Sequence, residues 1–108
     1  MNCKVLTIPQ FEKDVKNLAK KFKAIKQDLS KLINELQKEP LQGISLGQGI
    51  YKLRLANTSI PTGKSGGFRV ITYFLDEENN LYLLSIYSKT EKENITDDEI
   101  REALKFFS

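Results

Sequence analysis

Phe68-Arg69-Val70-Ile71-Thr72-Tyr73-Phe74-Leu75 and Leu81-Tyr82-Leu83-Leu84-Ser85-Ile86-Tyr87-Ser88-Lys89 carry the strongest β signals in this chain of 108 residues. Both are rich in β-branched and aromatic residues, and Asp76-Glu77-Glu78-Asn79-Asn80 between them reads as a hairpin turn. Side chains alternate along a strand, so Phe68, Val70, Thr72 and Phe74 oppose Arg69, Ile71, Tyr73 and Leu75. In the second strand Tyr82, Leu84 and Ile86 oppose Leu83, Ser85, Tyr87 and Lys89. Pairing Leu75 with Leu81 across a five-residue turn sets Arg69 opposite Tyr87 and Ile71 opposite Ser85.

Upstream, residues 43–56 are β territory, with Lys52, Arg54 and Ala56 on one face and Tyr51, Leu53 and Leu55 on the other. Residues 57–67 form a loop by composition. Closing that loop near Ala56 and Gly67 brings Arg54 beside Arg69. The expectation is a row of Arg54, Arg69 and Tyr87 across three strands, with Lys52 and Lys89 one step away. From Pro40 to Leu75 there is no Asp or Glu, although Lys52, Arg54, Lys64 and Arg69 lie in that stretch. Cations on an exposed strand face often do no more than keep the sheet soluble. Two arginines directly opposed are destabilising, however, and without acids nearby they point to an absent anion. A nucleic-acid backbone is the partner that fits.

Within the loop, Gly63-Lys64-Ser65 looks like the end of a nucleotide-binding P-loop. The leading glycine of that motif is replaced by Thr58, and the loop runs into a strand rather than a helix, so the reading fails. Lys64 is left as a cation over the rim of the basic face.

Before the sheet, Phe11, Val15, Leu18, Ala19 and Phe22 recur at helical spacing, and Ile25, Leu29, Leu32, Ile33 and Leu36 repeat the pattern. A short break around Lys23 and Ala24 makes these two helices a hairpin, ended by Pro40 and Gly43. Lys4–Ile8 is a short β-rich run ahead of Pro9, which suits a first helical turn. At the other end, Thr96 and Glu99 form a capping box that opens a helix with Ile100, Ala103, Leu104 and Phe107 inward. The expected order is β-α-α-β-β-β-α in one α+β domain over residues 1–108, with an antiparallel sheet, the hairpin on one face and a basic groove on the other.

The net charge of +3 is distributed as +4 over residues 1–39, +4 over 40–75 and −5 over 76–108. Phosphate is attracted to the middle of the chain and repelled by its end. Cys3 is the only cysteine, which leaves no intrachain disulfide and reads as a small buried hydrophobe. There is no histidine, so His-based triads are excluded and proton transfer would fall to Lys, Tyr, Arg, a carboxylate or water. No apolar run reaches a membrane span and the first residues lack a signal-peptide pattern, so a cytoplasmic location is expected.

The stretches Tyr51–Ala56, Gly63–Ile71, Tyr73–Asp76 and Leu83–Lys89 together resemble the RelE/ParE superfamily of bacterial toxins, most closely its HigB/RelE-like branch. The likeness runs over nearly the whole chain. One departure is Thr72, where the pattern has a second tyrosine. The resemblance implies a toxin of a type II toxin–antitoxin system that enters the ribosomal A site and cuts the bound mRNA. It also implies neutralisation by a cognate antitoxin, and a functional set of Lys52, Arg54, Lys64, Arg69, Tyr87 and Lys89. No cofactor is called for. The ParE branch poisons gyrase without cutting RNA, and a non-catalytic RNA-binding module is a further alternative; likeness of fold does not separate them.

The residues themselves suit attack by a ribose 2′-OH on the adjacent phosphate. Arg54 and Arg69 would hold the phosphate oxygens by bidentate geometry. Tyr87, Lys64, Lys52 or Lys89 would serve as the base, and sequence does not choose among them.

Overall fold

The computed structural model describes residues 3–61 and 66–108. β1 (Lys4–Thr7) leads into α1 (Pro9–Ala19), which opens on Pro9 as expected, and α2 (Ile25–Lys38) follows after a short turn. Then come β2 (Ile44–Gly47), β3 (Ile50–Leu55), β4 (Phe68–Leu75), β5 (Asn80–Ser88) and α3 (Asp97–Leu104), extended by a 3-10 turn over Lys105–Phe107. This is the α+β fold expected, with two differences in the sheet.

The first is that residues 43–56 are a hairpin, not one strand. Gly47, Gln48 and Gly49 all take positive φ (92°, 56° and 83°), a left-handed turn that reverses the chain and adds β2 at the sheet edge. The second is that the sheet is not wholly antiparallel. Its order is β1-β5-β4-β3-β2, and β1 pairs parallel to β5. That direction leaves Ile8 and Pro9 where α1 must start in order to return over β5, against which it packs.

α1, α2 and the turn between them bury Phe11, Leu18, Phe22, Ile25, Leu29, Leu32 and Leu36 against one side of the sheet. Phe22 meets Phe68 edge to face at 5.5 Å, so the side carrying Phe68, Val70 and Leu53 is the core side. Cys3 is buried beneath α2, and its thiol donates to the carbonyl of Leu36 at 3.3 Å. Burial pushes that thiol's pKa up.

The opposite side is not an open groove along its whole length. α3 lies across one end of it, capped as expected: the Thr96 hydroxyl accepts from the Glu99 amide, and Glu99 reaches back to the Thr96 amide. Phe107 packs edge to face on Tyr73 (5.1 Å) and Tyr82 (4.7 Å). No helix among the described residues is long and apolar enough to cross a membrane.

Candidate nucleic-acid interface

The register brings the expected row together. Arg54 pairs with Arg69 and Arg69 with Tyr87 across β3, β4 and β5, so all three share one face. The next rung is Lys52, Ile71 and Ser85. Toward the β4–β5 turn the expected register slips by one, because β5 bulges between its pairings with Ile71 and Thr72. Leu75 therefore pairs with Asn80, not Leu81. Tyr82 consequently comes opposite Tyr73 on the arginine side, instead of sharing Ile86's side. The bulge is what lets Tyr82 and Tyr73 receive Phe107.

Within the row the side chains differ sharply in environment. Arg54 is exposed, whereas Arg69 is only 7% exposed and its Nη1 donates to the Phe68 carbonyl at 3.2 Å. Tyr87 is 6% exposed, with its hydroxyl oxygen accepting from the Ile95 amide at 3.3 Å. Lys92 Nζ stands 5.5 Å from the centre of the Tyr87 ring, within cation–π range. Lys52 and Lys89 are half-buried. Lys89 Nζ donates to the Glu93 carbonyl at 2.7 Å, and Lys52 Nζ reaches the Asn94 side-chain oxygen at 3.4 Å. Lys64 lies outside the described residues.

Residues 93–95 thus form a crossing that touches Lys52, Tyr87 and Lys89 at once, and sequence reasoning missed it. Its polar contacts are made by a carbonyl, an amide N–H and one Asn side chain, groups with no periodicity to read. Another omission is Asp14, which accepts from Gln10 Nε2 (2.9 Å), Ser85 Oγ (3.1 Å) and the Ile86 amide (3.3 Å). It ties α1 to β5 immediately before Tyr87, where β1 has ended and the edge of β5 is open. Burial pushes its carboxyl above the usual carboxylate range, partly offset by these hydrogen bonds. A signal for Asp14 did exist: it is an acid at the i+3 position from Phe11 and i−4 from Leu18, on the apolar stripe.

The backbone around the row is closely fitted. A Cβ on Gly67 would lie 2.3 Å from the Leu55 carbonyl, so only glycine allows β3 and β4 to meet at the arginine end. The Lys89 amide closes the same end by donating to the Gly67 carbonyl at 2.9 Å. Chemically, the arrangement offers one exposed guanidinium, one fixed guanidinium and one fixed phenol on adjacent strands.

Solved structures of toxins are among those that share this fold. A double-arginine mutant of the Escherichia coli toxin RelE in the free state matches with a TM-score of 0.63 at 18% identity, covering 100% of each chain. The isolated E. coli RelE toxin matches at 0.57 and 17%, over 98% of this chain and 99% of that one. The Mycobacterium tuberculosis RelBE2 toxin–antitoxin complex matches at 0.55 and 16%, over 82% and 99%. In sequence, the family described as "RelE toxin of RelE / RelB toxin-antitoxin system" matches residues 10–107. With that match spanning both helices, the sheet from β2 to β5 and α3, the chain belongs to the RelE toxin family.

Proposed function

We propose that this protein is the toxin of a toxin–antitoxin pair and an endoribonuclease that stops translation by cutting mRNA in the ribosomal A site. The observation carrying the reading is the rung Arg54–Arg69–Tyr87, two guanidiniums and a phenol on one face of three adjacent strands. The scissile phosphate would sit over that rung. Attack by the neighbouring 2′-OH gathers negative charge on the non-bridging oxygens, where guanidinium donors act most strongly. Arg69, held by its contact to the Phe68 carbonyl, supplies a fixed donor. Arg54, exposed, closes on the substrate.

Tyr87 accepts an N–H from Ile95 while its own hydroxyl proton remains to be given, which suits protonation of the leaving 5′-oxygen. Lys52 and Lys89 are substrate-binding groups whose present partners at residues 93–95 are neutral and replaceable by phosphate. A lysine in its neutral form, for which Lys64 is the candidate, would take the proton from the attacking 2′-OH, so that the nucleophile loses one proton as Tyr87 gives one to the leaving 5′-oxygen. The partner is a cognate antitoxin, by analogy with the M. tuberculosis relative, whose structure is that of a toxin–antitoxin complex. On this chain it would cover or distort the basic face.

Mapping of mRNA ends after induction tests the reading. Codon-spaced cuts that require translation are expected, whereas gyrase-linked DNA breaks with intact mRNA would overturn it in favour of the ParE type.

A further inference from the structure

A second acid-free basic stretch lies outside the rung. Residues 15–27 contain Lys16, Lys20, Lys21, Lys23 and Lys26 and no Asp or Glu. They span the end of α1, the turn and the first residues of α2. All five are exposed. Only Lys21 has an ion pair among the described residues, with Glu91. Asp28, the first acid beyond the stretch, does not answer them: it is 7% exposed and accepts from the Thr58 amide (3.0 Å) and hydroxyl (2.7 Å).

Helix stability does not explain the whole cluster. Lys16 and Lys20, at the end of α1, complement that helix's dipole. Lys23 and Lys26 flank the start of α2, where a cation opposes the dipole, and α2 has no side-chain cap there. The fold therefore carries four mutually repelling lysines, two of them against the local field.

Their location connects them to the rung. The Ala24 amide donates to Ser59 Oγ at 2.9 Å, and Asp28 holds Thr58, so the α1–α2 turn is fixed to the loop that leaves Arg54 and returns to Arg69. The Lys21–Glu91 pair ties the same turn to the segment just past Lys89. One end of the molecule thus joins the lysine turn to the arginine end of the sheet.

We infer that the α1–α2 turn, through Lys16, Lys20, Lys23 and Lys26, is a second phosphate-binding surface that grips RNA backbone outside the scissile site. It rests on the reading of the rung as an RNA site, and it extends that site over the end of the sheet. Lysine suits this work: a point charge on a flexible stem neutralises backbone without demanding a fixed geometry. The ligand class is the RNA backbone, read without sequence preference.

The test measures binding of the full chain to two uncleavable 2′-O-methyl oligouridylates. One is long (about 24 nucleotides, on the scale of several single-strand sites) and one short (about 4 nucleotides, the lower limit of such sites). A variant with Lys16→Gln, Lys20→Gln, Lys23→Gln and Lys26→Gln should keep wild-type affinity for the short RNA. For the long RNA it should bind more weakly, and its salt slope should flatten by about 2–3, at ~0.7 for each phosphate no longer neutralised. The variant should also be at least as resistant to urea as the wild type, since repulsion is relieved. If the fourfold variant does not fold, the pairs Lys16→Gln/Lys20→Gln and Lys23→Gln/Lys26→Gln should each remove about half of that slope. An unchanged slope on the long RNA in folded variants overturns the inference, whether or not those variants lose binding to an acidic protein partner. Arg54→Ala separates the two claims, because it should weaken binding of both RNAs. If it weakens neither while the lysine variants lose the long one, the reading of the rung fails and the lysine surface stands.

Discussion

Arg54 and Arg69 are chemically identical and physically unequal. Arg69 is 7% exposed and bonded to its own strand, so its removal would disturb packing as well as chemistry. Arg54 is exposed and has no ion pair among the described residues, which makes it the cleaner probe. Arg54→Ala should retain the wild-type circular dichroism and an unfolding midpoint at or above the wild type's, since repulsion from Arg69 is relieved. It should lose about 10²–10³ in cleavage rate, the usual effect of deleting one oxyanion donor. Undiminished cleavage by the folded variant would remove Arg54 from the site. Thr72 offers a stability test at the same scale. It is fully buried and its hydroxyl has no hydrogen-bond partner among the described residues. An unsatisfied buried hydroxyl costs about 1–3 kcal/mol. Thr72→Val should therefore raise the urea midpoint, and a drop of that size would show that the hydroxyl is satisfied after all.

Among the elements, the joint between α1 and β5 is set by a carboxylate that burial disfavours. The pKa of Asp14 is raised in the folded protein, so the native state holds more protons than the unfolded chain between the ordinary carboxylate value and the raised one. Stability from this group consequently falls as pH rises through that window, and the full penalty is present above it. Asp14→Asn keeps an oxygen to accept from Ser85 and Ile86 while removing the charge. Urea titrations from acid to neutral pH should show a flatter profile for the variant, with equal or greater stability at neutral pH. A variant markedly less stable at neutral pH would mean that the ionised carboxylate holds β5 better than an amide does. The same joint holds β5 at Ile86, next to Tyr87 of the rung.

For the whole molecule, the helical hairpin on one side of the sheet and α3 on the other share the strands between them. Phe22 on Phe68 and Phe107 on Tyr73 lock both layers to β4. We propose that the chain unfolds as one cooperative domain. Tyrosine fluorescence, to which Tyr73, Tyr82 and Tyr87 on the α3 side contribute three of the four tyrosines, and far-ultraviolet dichroism, which reports the helices, should give superimposable urea transitions. A separate early loss of the tyrosine signal would mean that α3 detaches on its own.

Much of this was legible without coordinates. Period-3.6 stripes marked the helical hairpin, the capping box marked α3, and period-2 alternation put Arg54, Arg69 and Tyr87 on matching strand faces. These are local signals, carried by side-chain spacing and turn chemistry within a few residues. The expected turn pairing of Leu75 with Leu81 was off by one, and the row of Arg69 and Tyr87 held because the β5 bulge restores the register beyond it. The β5 bulge, the parallel pairing of β1, the crossing at residues 93–95 and the burial of Arg69 were not legible. Each depends on which backbone groups and surfaces distant segments bring together, and nearby residues leave no periodic trace of that. Sequence by itself determined which residues share a face where strand pairing is regular, as along β3 and β4; tertiary packing decided where β5 bulges, how exposed each residue became and what it touches.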